Sequence, residues 1–286
     1  MVNIIFKQII TNANKYGDNV STQDWLKFLA IITMTIDHIG WCFIAESNPY
    51  YEWFRVIGRT HVPIWFFFAG YSLKNKCCDK QLLSLAIWLV VINIIGGRGI
   101  LGLNVLFSII ICRACVLWLR ERNLIDTRIW DIFLVCAVFS FITSMLFEYG
   151  TTGVLYAVMG NMVRHRIADK KNNGKIERKQ QIFFIATFAL FMFYQYISMD
   201  LSILQSVIMT LGVGYSSWRL SQFEMRKLPW FEKSSKSHYN IGYVIRLLGR
   251  NSLYYYVIHR TIFILASYYG GFHHPQPFPI LGIFGL

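Results

Sequence analysis

Apolar residues recur in long blocks separated by short polar or basic segments. The first block, Trp25–Ile44, is apolar nearly throughout and is interrupted by Asp37 and His38. About 20 such residues suffice to span a bilayer. Further blocks follow at residues 55–73, 81–95, 100–119 and 129–147, then one ending near Val163, then 182–197, 201–218 and 252–269. Each predicts a helix. Together they predict an all-α fold, a polytopic transmembrane bundle of about nine spans. Residues 1–24 hold a shorter apolar piece broken by Lys7 and Gln8, which predicts an interfacial helix on the cytoplasmic face. Residues 25–270 are expected to form one transmembrane unit. Residues 271–286 form a tail that is first Pro-rich and then apolar.

Charge gives these blocks a direction. Basic segments follow the second, fourth, sixth and eighth blocks, beginning with Lys74, Arg120, Arg164 and Arg219. The alternate connections are short, and Arg98 is their one basic residue. Lys/Arg-rich loops stay in the cytoplasm, so the N-terminus is expected inside and the C-terminus outside. The same rule accounts for a formal charge of +13 without a nucleic-acid partner. A chain that is 55% hydrophobic and 17% aromatic is expected in a bilayer. Cys77 and Cys78 lie in a basic, predicted cytoplasmic loop, where thiols stay reduced. Cys112 and Cys115 have the spacing of a metal or redox motif but sit inside a span without partner ligands, so no metal site is expected.

Ionisable groups inside apolar blocks are the candidate chemistry. A charge near mid-membrane costs roughly 2.5–3.5 kcal/mol on insertion scales, which makes function the default reading. Asp37 and His38 lie about 18–20 Å along the first span at 1.5 Å per residue. Arg55 and Arg59 follow on the second span, four residues apart and therefore on one helix face. Both can point at Asp37, or at an anionic ligand, because guanidinium forks match carboxylate and phosphate oxygens. His259 lies mid-way along the last span and is a second candidate base or ligand. A structural Asp37–Arg59 ion pair and hydrogen-bonded helix contacts are the competing readings. Gly58, Pro63 and Gly70 predict a packing seam with a kink. Glu148 and Asp200 are expected to be solvated in outer turns. Spacing alone leaves an acyltransferase and a proton-coupled transporter both open.

Three segments carry a resemblance. Residues 25–40 (WLKFLAIITMTIDHIG) and 55–70 (RVIGRTHVPIWFFFAG) resemble the TraX family of conjugative-pilin acetylases and fimbrial-assembly relatives. Residues 249–259 (GRNSLYYYVIH) resemble the last-helix signature of the wider membrane acyltransferase superfamily. His61 stands where the family pattern carries a bulky residue. The resemblance implies transfer of acetyl from acetyl-CoA to an amine or hydroxyl of an acceptor, a pilin-like protein or a glycan. Acylation needs a base for the acceptor, and the residues point to His38 in that role, oriented or assisted by Asp37, with His259 a secondary candidate. Arg59 and Arg55 would bind an anionic part of the donor or stabilise charge. The basic segments at residues 164–181 and 219–250 offer charge for CoA phosphates. A proton-coupled transporter or flippase, and a non-enzymatic pilus or secretion assembly factor, are the alternatives.

Overall fold

The computed structural model describes residues 11, 19–97, 104–146, 148–168, 178–229 and 241–272. Twelve helices and no strand occur among the described residues; one isolated antiparallel bridge joins Ser21 to Lys227. The first, α1, runs Thr22–Phe43 and begins with a capping box. The Ser21 hydroxyl accepts the Asp24 N–H and the Asp24 carboxylate accepts the Ser21 N–H, each at 3.1 Å. Next come α2 (Tyr51–Gly58), α3 (His61–Tyr71), α4 (Lys80–Ile95), α5 (Val105–Glu121) and the single turn α6 (Leu124–Thr127). They are followed by α7 (Ile129–Leu146), α8 (Gly150–Ala168), α9 (Arg178–Ser198) and α10 (Ile203–Ser221). The last two are α11 (Ile241–Arg250) and α12 (Ser252–Tyr269). By length and apolar composition, α1 and α9 are the two that qualify to cross a bilayer.

Two segments differ from the hydropathy reading. The block expected as one helix from residue 55 starts earlier, at Tyr51, and breaks at Arg59 and Thr60 into α2 and α3. Pro63 explains the position of the break. It sits in the first turn of α3, where its missing N–H costs nothing, and the Arg59 carbonyl bonds Val62 instead. The second difference is α11, which lies in a stretch read as a basic connection. It buries Gly242, Ile245, Arg246 and Gly249 on one face. Residues 1–10, 12–18 and 273–286, which include most of the expected interfacial helix and the tail, lie outside the described residues.

The core is built on α3 and α8. A Cβ on Gly70 would lie 1.8 Å from the Ala157 carbonyl oxygen, and one on Gly160 would lie 1.9 Å from that of Phe67. These glycines let two backbones touch, as small residues do at close helix crossings. Phe66, Phe67, Leu155, Tyr156 and Met159 are fully buried along the seam. Helices α5, α7, α9 and α10 surround α8, while α1 packs on α2, α3, α11 and α12.

Helices α1 and α12 run parallel. Thr35 meets Tyr255, His38 meets His259, and the Ser267 hydroxyl donates to the Cys42 carbonyl. One end of the bundle gathers basic residues on helix-terminal carbonyls. Arg120 donates to Lys74 O, Arg164 to Leu73 O, Arg166 to Ser221 O and Lys179 to Asp126 O. The sides present large apolar residues outward: Leu134 and Val138 of α7 and Leu211 of α10 are 63–66% exposed.

Candidate functional site

Gly58, the last residue of α2, sets the geometry. A Cβ there would lie 2.3 Å from the Asp37 Cβ, so α2 can reach α1 at that point because Gly58 has none. The contact places both arginines of α2 over a buried carboxylate. Arg55 Nη1 is 3.0 Å from Asp37 Oδ1 and Arg59 Nη1 is 3.7 Å from Asp37 Oδ2. Asp37 is 2% exposed, so the pair of guanidiniums neutralises a carboxylate that has almost no water. Arg59 also donates to the Tyr149 hydroxyl at 2.9 Å.

His38 faces another way. Its Nδ1 lies 2.7 Å from His259 Nε2, and the two rings stack with centroids 5.0 Å apart. His259 Nδ1 lies 2.9 Å from the Tyr255 carbonyl oxygen, one turn earlier on α12. A carbonyl only accepts, so His259 carries its proton on Nδ1 and a neutral ring leaves Nε2 bare. The proton between the rings then belongs to His38 Nδ1, which leaves His38 Nε2 as a bare, basic nitrogen. The partner that orients His38 is therefore His259. Asp37, the adjacent residue expected to orient it, is engaged with the two arginines instead.

A cavity of about 70 Å³ is lined by His38 and by Tyr149, the partner of Arg59, together with His61, Trp65, Glu148 and Tyr256, among others. His61 begins α3 and its Nδ1 lies 2.5 Å from the Gly58 carbonyl, which ties the cavity wall to the helix break. Glu148 lines this cavity and is half-buried, where a solvated outer turn was expected. Three buried donors near these groups have no hydrogen-bond partner among the described residues: Arg59 Nε, Trp65 Nε1 and Arg260 Nη1. The Arg260 guanidinium sits 3.9 Å above the Trp41 ring.

All five residues singled out from the sequence, Asp37, His38, Arg55, Arg59 and His259, thus come together in two linked clusters. Sequence reasoning missed Trp65, Glu148, Tyr149 and Tyr256. Their one signal was proximity to a turn or to His259, which spacing could not weigh. Among the described residues no group of three His, Cys, Asp or Glu side chains could hold a metal ion, and the six cysteines are free thiols.

This arrangement can hold an anion or developing negative charge beside an uncommitted base. A family model described as TraX protein matches residues 22–231, a span that contains α1, the Asp37–His38 pair and both arginines. The chain belongs to the TraX family. A relative, the uncharacterized protein RP591 of Rickettsia prowazekii (strain Madrid E), is 28% identical over 266 residues, or 87% of this chain and 94% of that one. No solved structure matches. The TraX match ends at residue 231, so His259 pairs with His38 from outside the matched segment.

A larger groove of about 530 Å³ lies at the basic end, between the start of α1 and the end of α10. Trp25, Leu29, Tyr215 and Phe223 form its apolar wall, with Arg219 and the Arg226–Glu224 ion pair at its polar side.

Proposed function

We propose that this TraX-family chain is an integral membrane acetyltransferase of the bacterial inner membrane. It transfers acetyl from acetyl-CoA to an amine or hydroxyl of a surface component, most simply the N-terminal amine of a pilin-like protein. The single observation that carries this reading is the His38–His259 pair, which fixes a bare imidazole nitrogen one residue along α1 from the carboxylate that holds two arginines.

In this reading the acceptor amine attacks the thioester carbonyl carbon. His38 Nε2 takes the proton that the nitrogen sheds, and the carbonyl oxygen becomes negative. Collapse restores the C=O bond and expels the CoA thiolate, which takes the proton back from His38. His259 positions the ring, and Asp37 holds Arg55 and Arg59 where positive charge faces the developing anion. The groove gives the donor's phosphates a place beside Arg219, with Arg226 near it held by Glu224.

The nine-span arrangement, N-terminus inside, belongs to this reading too. The outward-facing Leu134, Val138 and Leu211 suit hydrocarbon better than water. The parallel run of α1 and α12 requires an odd number of crossings from first to last. The shared basic end suits the cytoplasmic face.

The broken α2–α3 pair favours a second reading. Discontinuous helices beside a charged site are a feature of transporters, in which Asp37, His38 and Arg59 would relay protons. One experiment separates the two. The purified protein in lipid nanodiscs is given radiolabelled acetyl-CoA and a peptide with a free N-terminus. Label on the peptide, lost in His38→Ala and retained in His273→Ala, is the expected result. Absence of label with every amine or hydroxyl acceptor, together with proton uptake by the same preparation in vesicles, overturns the acetyltransferase.

A further inference from the structure

Tyr149 adopts φ +66°, the left-handed region that a bulky L residue rarely occupies. Its backbone is held there by the first turn of α8. The Tyr149 carbonyl accepts from the Thr152 hydroxyl and from the Gly153 N–H, which starts α8. Its ring lies edge-on to Phe66 with centroids 5.7 Å apart. Such strain persists where the surrounding structure over-determines a side chain's position, and it concentrates at functional sites.

That position has one chemical consequence. Arg59 Nη1 can only donate, so the Tyr149 hydroxyl oxygen accepts this bond at 2.9 Å. The phenol's own proton is left over, and it has no acceptor among the described residues. Donation from a cation that is itself held by Asp37 polarises the O–H and makes it a stronger donor. The Tyr149 side chain lines the same small cavity as His38. So does Trp65, whose buried Nε1–H also lacks a partner. Two residues with an uncommitted donor and one with an uncommitted acceptor therefore line a single cavity.

We infer that the Tyr149 hydroxyl and Trp65 Nε1–H form the oxyanion pocket of this site, with Arg59 as the positioning residue that polarises the phenol. The inference rests on the acyl-transfer reading. When the acceptor nitrogen bonds to the thioester carbon, the C=O π pair moves onto oxygen, where both donors meet it. His38 takes the nitrogen's proton. The pair returns as the C–S bond breaks, and CoA leaves as the thiol with that proton.

The test uses the full chain in nanodiscs with radiolabelled acetyl-CoA and an N-terminally free peptide. Tyr149→Phe keeps the ring against Phe66 and removes only the hydroxyl. It is expected to lower kcat by about 10²–10³-fold, the range for losing one oxyanion donor, with KM for acetyl-CoA unchanged. Trp65→Phe is expected to lower kcat with KM unchanged in the same way. A purely structural tyrosine is excluded by placing 3-fluorotyrosine at 149. Its more acidic phenol is expected to change kcat and leave KM and the melting temperature alone. That variant also serves if Tyr149→Phe does not fold. Unchanged kcat in Tyr149→Phe, with wild-type transfer intact, overturns the oxyanion role and leaves the acyl-transfer reading standing. A fall in kcat that follows KM or the melting temperature overturns it as well. Failure of the wild type to label any acceptor overturns both.

Discussion

A carboxylate clamped by two guanidiniums and an imidazole clamped by another imidazole do different work, although Asp37 and His38 are neighbours in the chain. The Asp37 charge is cancelled, so its contribution is to fix Arg55 and Arg59. The His38 lone pair is uncommitted, so in the proposed transfer its contribution is basicity. Removing His259 should therefore cost less than removing His38. His259→Ala is expected to lower acetyl transfer by about 10–100-fold and His38→Ala by about 10²–10⁴-fold, the usual range for a general base. Equal losses would mean that the two rings act as a unit rather than as base and support. Tyr149 offers a second test at this scale. Its left-handed backbone costs roughly 1–2 kcal/mol in any residue with a Cβ. Tyr149→Gly should then unfold at a higher temperature than Tyr149→Ala, since both lack the hydroxyl and differ only in the Cβ. The opposite order would show that the backbone is not strained there.

Between elements, the close approach of α1 and α2 decides whether a site exists. The Gly58 Cβ position is 2.5 Å from Asp37 Oδ1, closer than atoms can sit, so Gly58→Ala must push α2 away or turn the carboxylate. Overpacking of this kind costs about 1–3 kcal/mol. We expect that loss in thermal stability, with acetyl transfer falling further than stability alone would explain. Gly214→Ala is the control, since its Cβ would meet only the Phe188 ring edge at 3.4 Å. If the two variants behave alike, the α1–α2 contact does not hold the site. Much of this level was legible beforehand. Hydropathy located most of the helices to within a few residues, and the i, i+4 spacing of Arg55 and Arg59 put both within reach of Asp37. The break before Pro63 was read only as a kink, because a proline does not say whether a helix bends or stops. The amphipathic α11 was hidden among Arg246, Arg250 and polar residues, where charge counting outweighed the apolar face. Tyr149 was invisible, since its importance arises from a positive φ and from Arg59, 90 residues away.

For the whole molecule, orientation in the bilayer is the remaining physical question, and two cysteines can answer it. Cys77 and Cys78 lie just beyond α3, next to the end of the bundle where Arg120 caps Lys74 and Arg164 caps Leu73. Both are half-buried, as is Cys115 within α5, whereas Cys42, Cys112 and Cys136 are buried among helices, so Cys115→Ser is the background for the test. A thiol reagent that cannot cross membranes should thus report mainly on that end. The positive-inside rule assigns it to the cytoplasm. Labelling is therefore expected in inside-out vesicles and not in intact spheroplasts, and Cys77→Ser with Cys78→Ser should abolish most of it. The outcome bears on chemistry as well as topology. With this end inside, the groove holding Arg219 and Arg226 opens toward cytoplasmic CoA, while Asp37 and His38 lie some 20 Å up α1 at 1.5 Å per residue. An acetyl donor would then enter from one side and an acceptor exposed on the other could meet it within the bundle. Labelling from the outside would reverse that geometry and leave the groove facing away from its donor.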